Sequence, residues 1–240
     1  MSKLAPLNAK IEYKENQRCK YVYKCYHATY TAKDEFEAYE RVDKLIQGLK
    51  KFRTAKIYNV NESDNCLSIE YIPGHSLYEI ISETNVDVLK KWQSLLITLF
   101  IKARNAKVHF DSDPSNLMCD DRTGDIVIID PVCVDLDIDD FVMIVFMWAL
   151  IKIMLRNRSF WRNKAIIKHW FNYYREYLQA TGVDFREFNS QLVKYIDVVI
   201  GWNKEGNSVE GPMKRVMRYL LFIPIYTVIK WIFKWNIVHP

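Results

Sequence analysis

Glycine is scarce in this chain, and none stands before Gly48. Seven glycines and seven prolines in 240 residues leave no room for long flexible linkers. Cysteine is sparse too. Five residues (Cys19, Cys25, Cys66, Cys119, Cys133), odd in number and without a CxxC spacing, argue against a disulfide framework or a zinc site. They read as reduced thiols. Met1 to Lys14 lacks the apolar core of a signal peptide, so the expectation is a cytoplasmic protein. Internal repeats and low-complexity tracts are missing as well.

What the chain does have is apolar mass. Half of it is hydrophobic and 14% is aromatic, enough to build a core and to exclude disorder. The net charge of +5 is modest but unevenly spread. From Asp111 to Asp140 there are ten aspartates and one arginine, Arg122. From Ile151 to Ala180 seven Lys or Arg residues face one acid, Glu176, and Gly211 to Pro240 holds five bases and no acid. An acidic run of that density must hold a cation, face water, or both.

The first third reads as strands around one helix. Lys20 to Tyr26 is rich in β-formers. Ala32 to Leu49 carries Phe36, Tyr39, Val42, Leu45 and Ile46 at helical spacing. Short strands are expected at Ile57 to Val60 and Cys66 to Tyr71, separated by the turn-prone Asn61 to Asn65. Pro73-Gly74 then marks a boundary. Beyond it a long helix is expected from about Asn85 to Ala106, with Thr84 as its cap and Asp87 completing a capping arrangement. A short loop, Asp111 to Asn116, an apolar strand, Ile126 to Ile129, and Asp130-Pro131 follow. From Phe141 onward the chain reads as helical.

The chemistry concentrates in His109-Phe110-Asp111-Ser112-Asp113-Pro114-Ser115-Asn116 and in Asp125 to Pro131. Phosphoryl transfer needs a carboxylate beside the attacking hydroxyl and oxygen ligands for magnesium. A short loop can present Asp111 and Asn116 to one cleft, and the strand that follows can bring Asp130 to it. This stretch resembles the HxDxxxxN catalytic loop and the later metal-binding aspartate of the protein-kinase-like superfamily. It is most similar to aminoglycoside phosphotransferase-like and small bacterial sugar or lipopolysaccharide-core kinases. Asp140 in Asp139-Asp140-Phe141-Val142 resembles that superfamily's structural step after the metal strand.

The resemblance extends backwards through roughly Lys20 to Val142. It implies that Lys24, with Lys20 an equal alternative by position, contacts the α- and β-phosphates. Glu35, favoured over Glu37 by helix phase, would pair with that lysine. Glu70, Tyr71 and Ile72 fall at the hinge that meets adenine. Asp111 would be the catalytic base, and Asn116 and Asp130 the magnesium ligands. His109 reads as structural and Asp113 as a loop cap. The glycine-rich loop of protein kinases is absent, as in several small-molecule kinases of the superfamily, and the turn expected in its place, Tyr13 to Arg18, has only Asn16 tolerant of positive φ.

The resemblance implies an α+β, two-lobed fold with a sheet-plus-helix lobe at 1–71, a mostly helical lobe at 72–240, and a hinge near 70–75. It implies an ATP- and magnesium-dependent kinase acting on a hydroxyl of a sugar, glycan or other small molecule. The alternatives are a non-catalytic kinase-like binding module or a protein kinase. Met213 to Val238 joins an uncharged apolar run to two tryptophans and five bases. It reads either as a terminal helix packed on the second lobe or as an anchor resting on the anionic inner face of a membrane. A nucleic-acid partner is not expected, because no recognised module accompanies the bases.

Overall fold

The computed structural model describes residues 9–15, 20–27, 31–80, 86–132, 142, 145, 164–184, 186–190, 192–194, 196, 197, 227 and 230. The chain adopts the expected α+β class, with a small sheet-plus-helix lobe followed by a helical one. Its first sheet has the order β1-β2-β5-β4, from β1 (Ala9–Glu15), β2 (Lys20–Tyr26), β4 (Ile57–Asn61) and β5 (Cys66–Glu70), all antiparallel. Strand β1 was not expected. It alternates alanine, isoleucine and tyrosine with charged residues, and its exposed positions include Ile11 and Tyr13.

Helix α1 (Ala32–Ile46) starts at a full capping box. The Thr31 side chain accepts the N–H of Asp34, and Asp34 in turn accepts the N–H of Thr31. The buried face carries Glu35, Tyr39, Val42 and Ile46, one turn apart each. The helix ends three residues earlier than the sequence suggests, because Gly48 takes a left-handed φ of 83°.

A second sheet, unanticipated in the sequence, has the order β3-β8-β7-β6. Its strands are β3 (Phe52–Thr54), β6 (Gly74–Ser76), β7 (Leu117–Asp120) and β8 (Ile126–Ile128). Strand β3 comes from before the Pro-Gly boundary yet pairs in parallel with β8. The alternation of β8 serves two cores: Ile126 and Ile128 join the larger one, and Val127 joins the one under the first sheet. Gly74 sits at φ 144°, and a Cβ there would lie 1.8 Å from the carbonyl oxygen of Cys119. Only glycine lets β6 approach β7 that closely.

Helix α2 (Leu77–Ile80) is short, and α3 (Val86–Ala106) is the expected long helix. Trp92, Leu96, Leu99, Phe100 and Ala103 of α3 join Trp170, Tyr173, Tyr174 and Tyr177 of α4 (Lys164–Thr181) in the larger core. The proposed cap Thr84, Asp139-Asp140, nearly all of the 141–155 segment and nearly all of Met213 to Val238 lie outside the described residues. Among the described residues, no helix is long and apolar enough to cross a membrane.

The reading of the cysteines needs correction. Cys25 and Cys66 form a disulfide. They are directly opposed on β2 and β5, with Cα atoms 4.1 Å apart, a proximity that spacing along the chain does not reveal. Cys119 is a free, half-buried thiol.

Candidate active-site cleft

A cleft of about 270 Å³ opens between the first sheet and the loop that leads into β7. Ile11, Tyr13, Val22, Lys24 and Ile69 line one side, and Asn116, Met118, Ile129 and Asp130 the other. Glu70, Tyr71 and Ile72 close its end. Ile11, Tyr13 and Tyr71 are three of the four exposed large apolar side chains among the described residues, and all three face this cleft. Apolar surface left open in a concavity is the ordinary mark of a ligand site.

Lys24 is the charge at its heart. It points inward from β2 and is only 4% exposed. Its Nζ lies 3.0 Å from Glu35 Oε2 and 2.8 Å from Asp130 Oδ1. Lys20 is exposed at the start of the strand and lines a different surface depression, so of the two lysines Lys24 is the one that reaches Glu35. Glu37 is exposed on the outer face of α1, whereas Glu35 is fully buried. Burial pulls the Lys24 pKa down, but the two carboxylates outweigh it and the pKa is raised. Glu35 is raised by burial first and by Asp130 second, since one ammonium is shared between two carboxylates.

The Asp111 loop is tied to its neighbours by backbone bonds. The Asp111 N–H donates to Pro131 O, and the Ile129 N–H donates to Asn116 O. Asn116 therefore sits beside the strand end that carries Asp130. Asp113 accepts from the N–H and hydroxyl of Ser115, capping the 3-10 turn Pro114–Asn116. Asp111 accepts the N–H of Asp113, and burial raises its pKa from the 3.8 of an ordinary aspartate to about 6. Asp113 and Asp130 add to that rise, while the Asp113 N–H and the Asn116 side chain oppose it.

Asp130 takes a left-handed backbone, φ 53°, unusual for a residue with a side chain. Its Oδ1 is buried with no well-aligned hydrogen-bond donor among the described residues. Its neighbour is the Lys24 charge. A carboxylate with spare acceptor capacity, near an amide side chain that can offer a carbonyl oxygen, suits a hard divalent cation shared with phosphates. Among the described residues no three His, Cys, Asp or Glu side chains cluster to hold a metal by themselves.

Glu70 lines the cleft at the expected position, but its side chain is engaged elsewhere. It turns to Arg53, at 2.6 and 3.0 Å, and to Arg122, at 2.9 Å, and both arginines also bind the fully buried Asp120. Burial works upward on Glu70, and donation from Arg53, the Lys56 N–H and Arg122 brings its pKa below the ordinary value. Asp120 is held well below the carboxylate range, first by the Arg122 side chain. Of the turn expected at Tyr13 to Arg18, residues 16–18 lie outside the described residues. Residues 13–15 belong to β1, and the pairing ends at Glu15 opposite Lys20. Lys24 lies four strand residues farther on, about 13 Å away, opposite Ile11.

The arrangement is thus an α+β chain in which a lysine of the first sheet, paired with a buried glutamate of α1, reaches an aspartate just past a strand of the second sheet. No protein-family model matches the chain, and no curated protein does. Among solved structures, the chain is similar to the kinase PK-1 of Cydia pomonella granulovirus, with 16% identity and a TM-score of 0.42. The likeness covers 58% of this chain and 61% of the granulovirus one, so the chain spans under two thirds of that protein's length.

Proposed function

We propose that the chain is an ATP-dependent phosphotransferase with a hydroxyl acceptor. The observation that carries the reading is Lys24, held between Glu35 and Asp130 on the wall of a cleft that Asn116 also lines. In this reading Ile11, Val22, Met118 and Ile129 enclose the adenine, and the backbone of Glu70 to Ile72 meets its edge. Lys24, oriented by Glu35, neutralises phosphate charge. Asn116 and Asp130 would hold magnesium, which when bound supplies charge stabilisation at the phosphate oxygens. Asp111 positions the acceptor hydroxyl and takes its proton as the γ-phosphoryl group leaves ADP for that oxygen.

The acceptor class is a sugar, glycan or other small molecule, on the strength of the sequence resemblance. The lobe boundary near residues 71 and 72 and a contact of Met213 to Val238 with an anionic membrane belong to the same proposal. A thermal-shift titration with Mg-ATP tests the nucleotide site, since a ligand at a hundred times its Kd stabilises by about 2.7 kcal/mol. Turnover is then sought on a panel of sugars and glycans. Binding without turnover on any acceptor points to a non-catalytic module, and no binding at all overturns the reading.

A further inference from the structure

Glu35 and Tyr39 lie one turn apart on the inward face of α1, so both side chains reach the same place. Glu35 holds Lys24, and Lys24 meets the carboxylate of Asp130. Tyr39 meets the other part of that residue: its hydroxyl accepts the backbone N–H of Asp130 at 3.2 Å. Its ring is 1% exposed and belongs to the core cluster of Ala55, Ile69, Ile72 and Val127, which denies the hydroxyl room to move.

Asp130 needs such a hold. Its φ of 53° is disfavoured for any residue with a Cβ, and Pro131 after it further restricts its backbone towards extended conformations. A strained backbone persists only where its surroundings over-determine it. We propose that Tyr39 is a positioning residue for Asp130. It fixes the left-handed backbone that turns the carboxylate into the cleft, and so ties the placement of the cation-holding oxygen to helix α1. The proposal rests on the reading of the cleft as a metal-nucleotide site.

The test uses the full chain with ATP and follows Mn²⁺ binding by electron paramagnetic resonance in wild type, Tyr39→Phe and Asp130→Asn. ATP binding in EDTA is measured alongside. Loss of one net hydrogen bond corresponds to roughly a fivefold weaker Mn²⁺ affinity in Tyr39→Phe, with metal-free ATP binding unchanged. Asp130→Asn should lose more. If Asp130→Asn weakens Mn²⁺ binding and Tyr39→Phe does not, the positioning role is wrong while the site stands. If wild type and Asp130→Asn bind alike, the site reading fails and this inference falls with it. Should Tyr39→Phe not fold, amide exchange at Asp130 in the wild-type protein decides. Strong protection supports the role, and exchange at the rate of an open peptide overturns it.

Discussion

Lys24 meets Asp130 across the cleft at 2.8 Å, although β2 of the first sheet carries one and the chain just past β8 of the second sheet carries the other. Glu35 braces the contact from α1. The charge balance is one cation to two carboxylates.

Removing that cation should therefore be expensive. Lys24→Met leaves Glu35 fully buried without a partner, and loss of one member of a buried pair costs about 3–5 kcal/mol. Urea denaturation should show that loss, and the double variant Lys24→Met/Glu35→Gln should regain a large part of it. A double variant as unstable as the single one would mean that Glu35 is not the group left stranded.

Asp111 should make metal-free protein less stable as pH rises. Its native pKa is raised to about 6 from 3.8, so between those values the folded state binds the proton more tightly than the unfolded chain. The advantage is present below about pH 4 and is lost by the time pH passes 6. A rise of that size corresponds to at most about 3 kcal/mol. Asp111→Asn, compared with wild type in EDTA from pH 4 to 8, should show the difference growing in favour of the variant as pH rises. A flat difference would contradict it.

The arginines that hold Glu70 and Asp120 are predicted to be structural anchors of the cleft edge. Arg53→Met leaves Glu70 and Asp120, 7% and 0% exposed, with Arg122 as their remaining cation. A loss of a few kcal/mol is expected in denaturant. Lys at position 53 should recover only part of it, because a point charge cannot bind Glu70 with two nitrogens while reaching Asp120. Full recovery by Arg53→Lys would show that charge alone suffices.

Gly74→Ala should be among the most disruptive small substitutions in the chain. The added methyl meets a backbone carbonyl, not the end of a movable side chain, and the φ of 144° is closed to alanine. Thermal denaturation should register a loss of several degrees or outright misfolding. Alanine at Gly48, where nothing lies within 4 Å of the added Cβ, should be milder despite its own positive φ.

Much of this arrangement was legible because it is written locally. Strand β2, helix α1 and helix α3 run for seven, fifteen and twenty-one residues, long enough for alternation or helical periodicity to register. The resemblance then singled out Lys24, Glu35 and Asp130, which the fold brings into contact, and Asn116, which lines the same cleft. Strands β3 and β6 have three residues each and β7 four, too short to carry a period, whereas the apolar run of β8 was read as a strand. The Arg53, Glu70, Asp120 and Arg122 cluster joins positions far apart along the chain, and no spacing announces it. Cys25 and Cys66 were misread for the same reason, since only the register of β2 on β5 makes them neighbours. Tyr39 looked like one more apolar residue on a helix stripe. Its hydroxyl matters because of where Asp130 arrives.

The parallel pairing of β3 with β8 bears on how the chain is made. As it leaves the ribosome, β3 emerges long before its partner and must wait with its backbone donors and acceptors open to water. Only when Ile126–Ile128 has been synthesised can β3 close its ladder and Phe52 settle into the larger core. A fragment ending near Tyr71 would carry a permanently unpaired edge, an invitation to self-association. Lobes that a ligand would meet as two halves of a cleft are thus, for folding, a single unit completed from its far end.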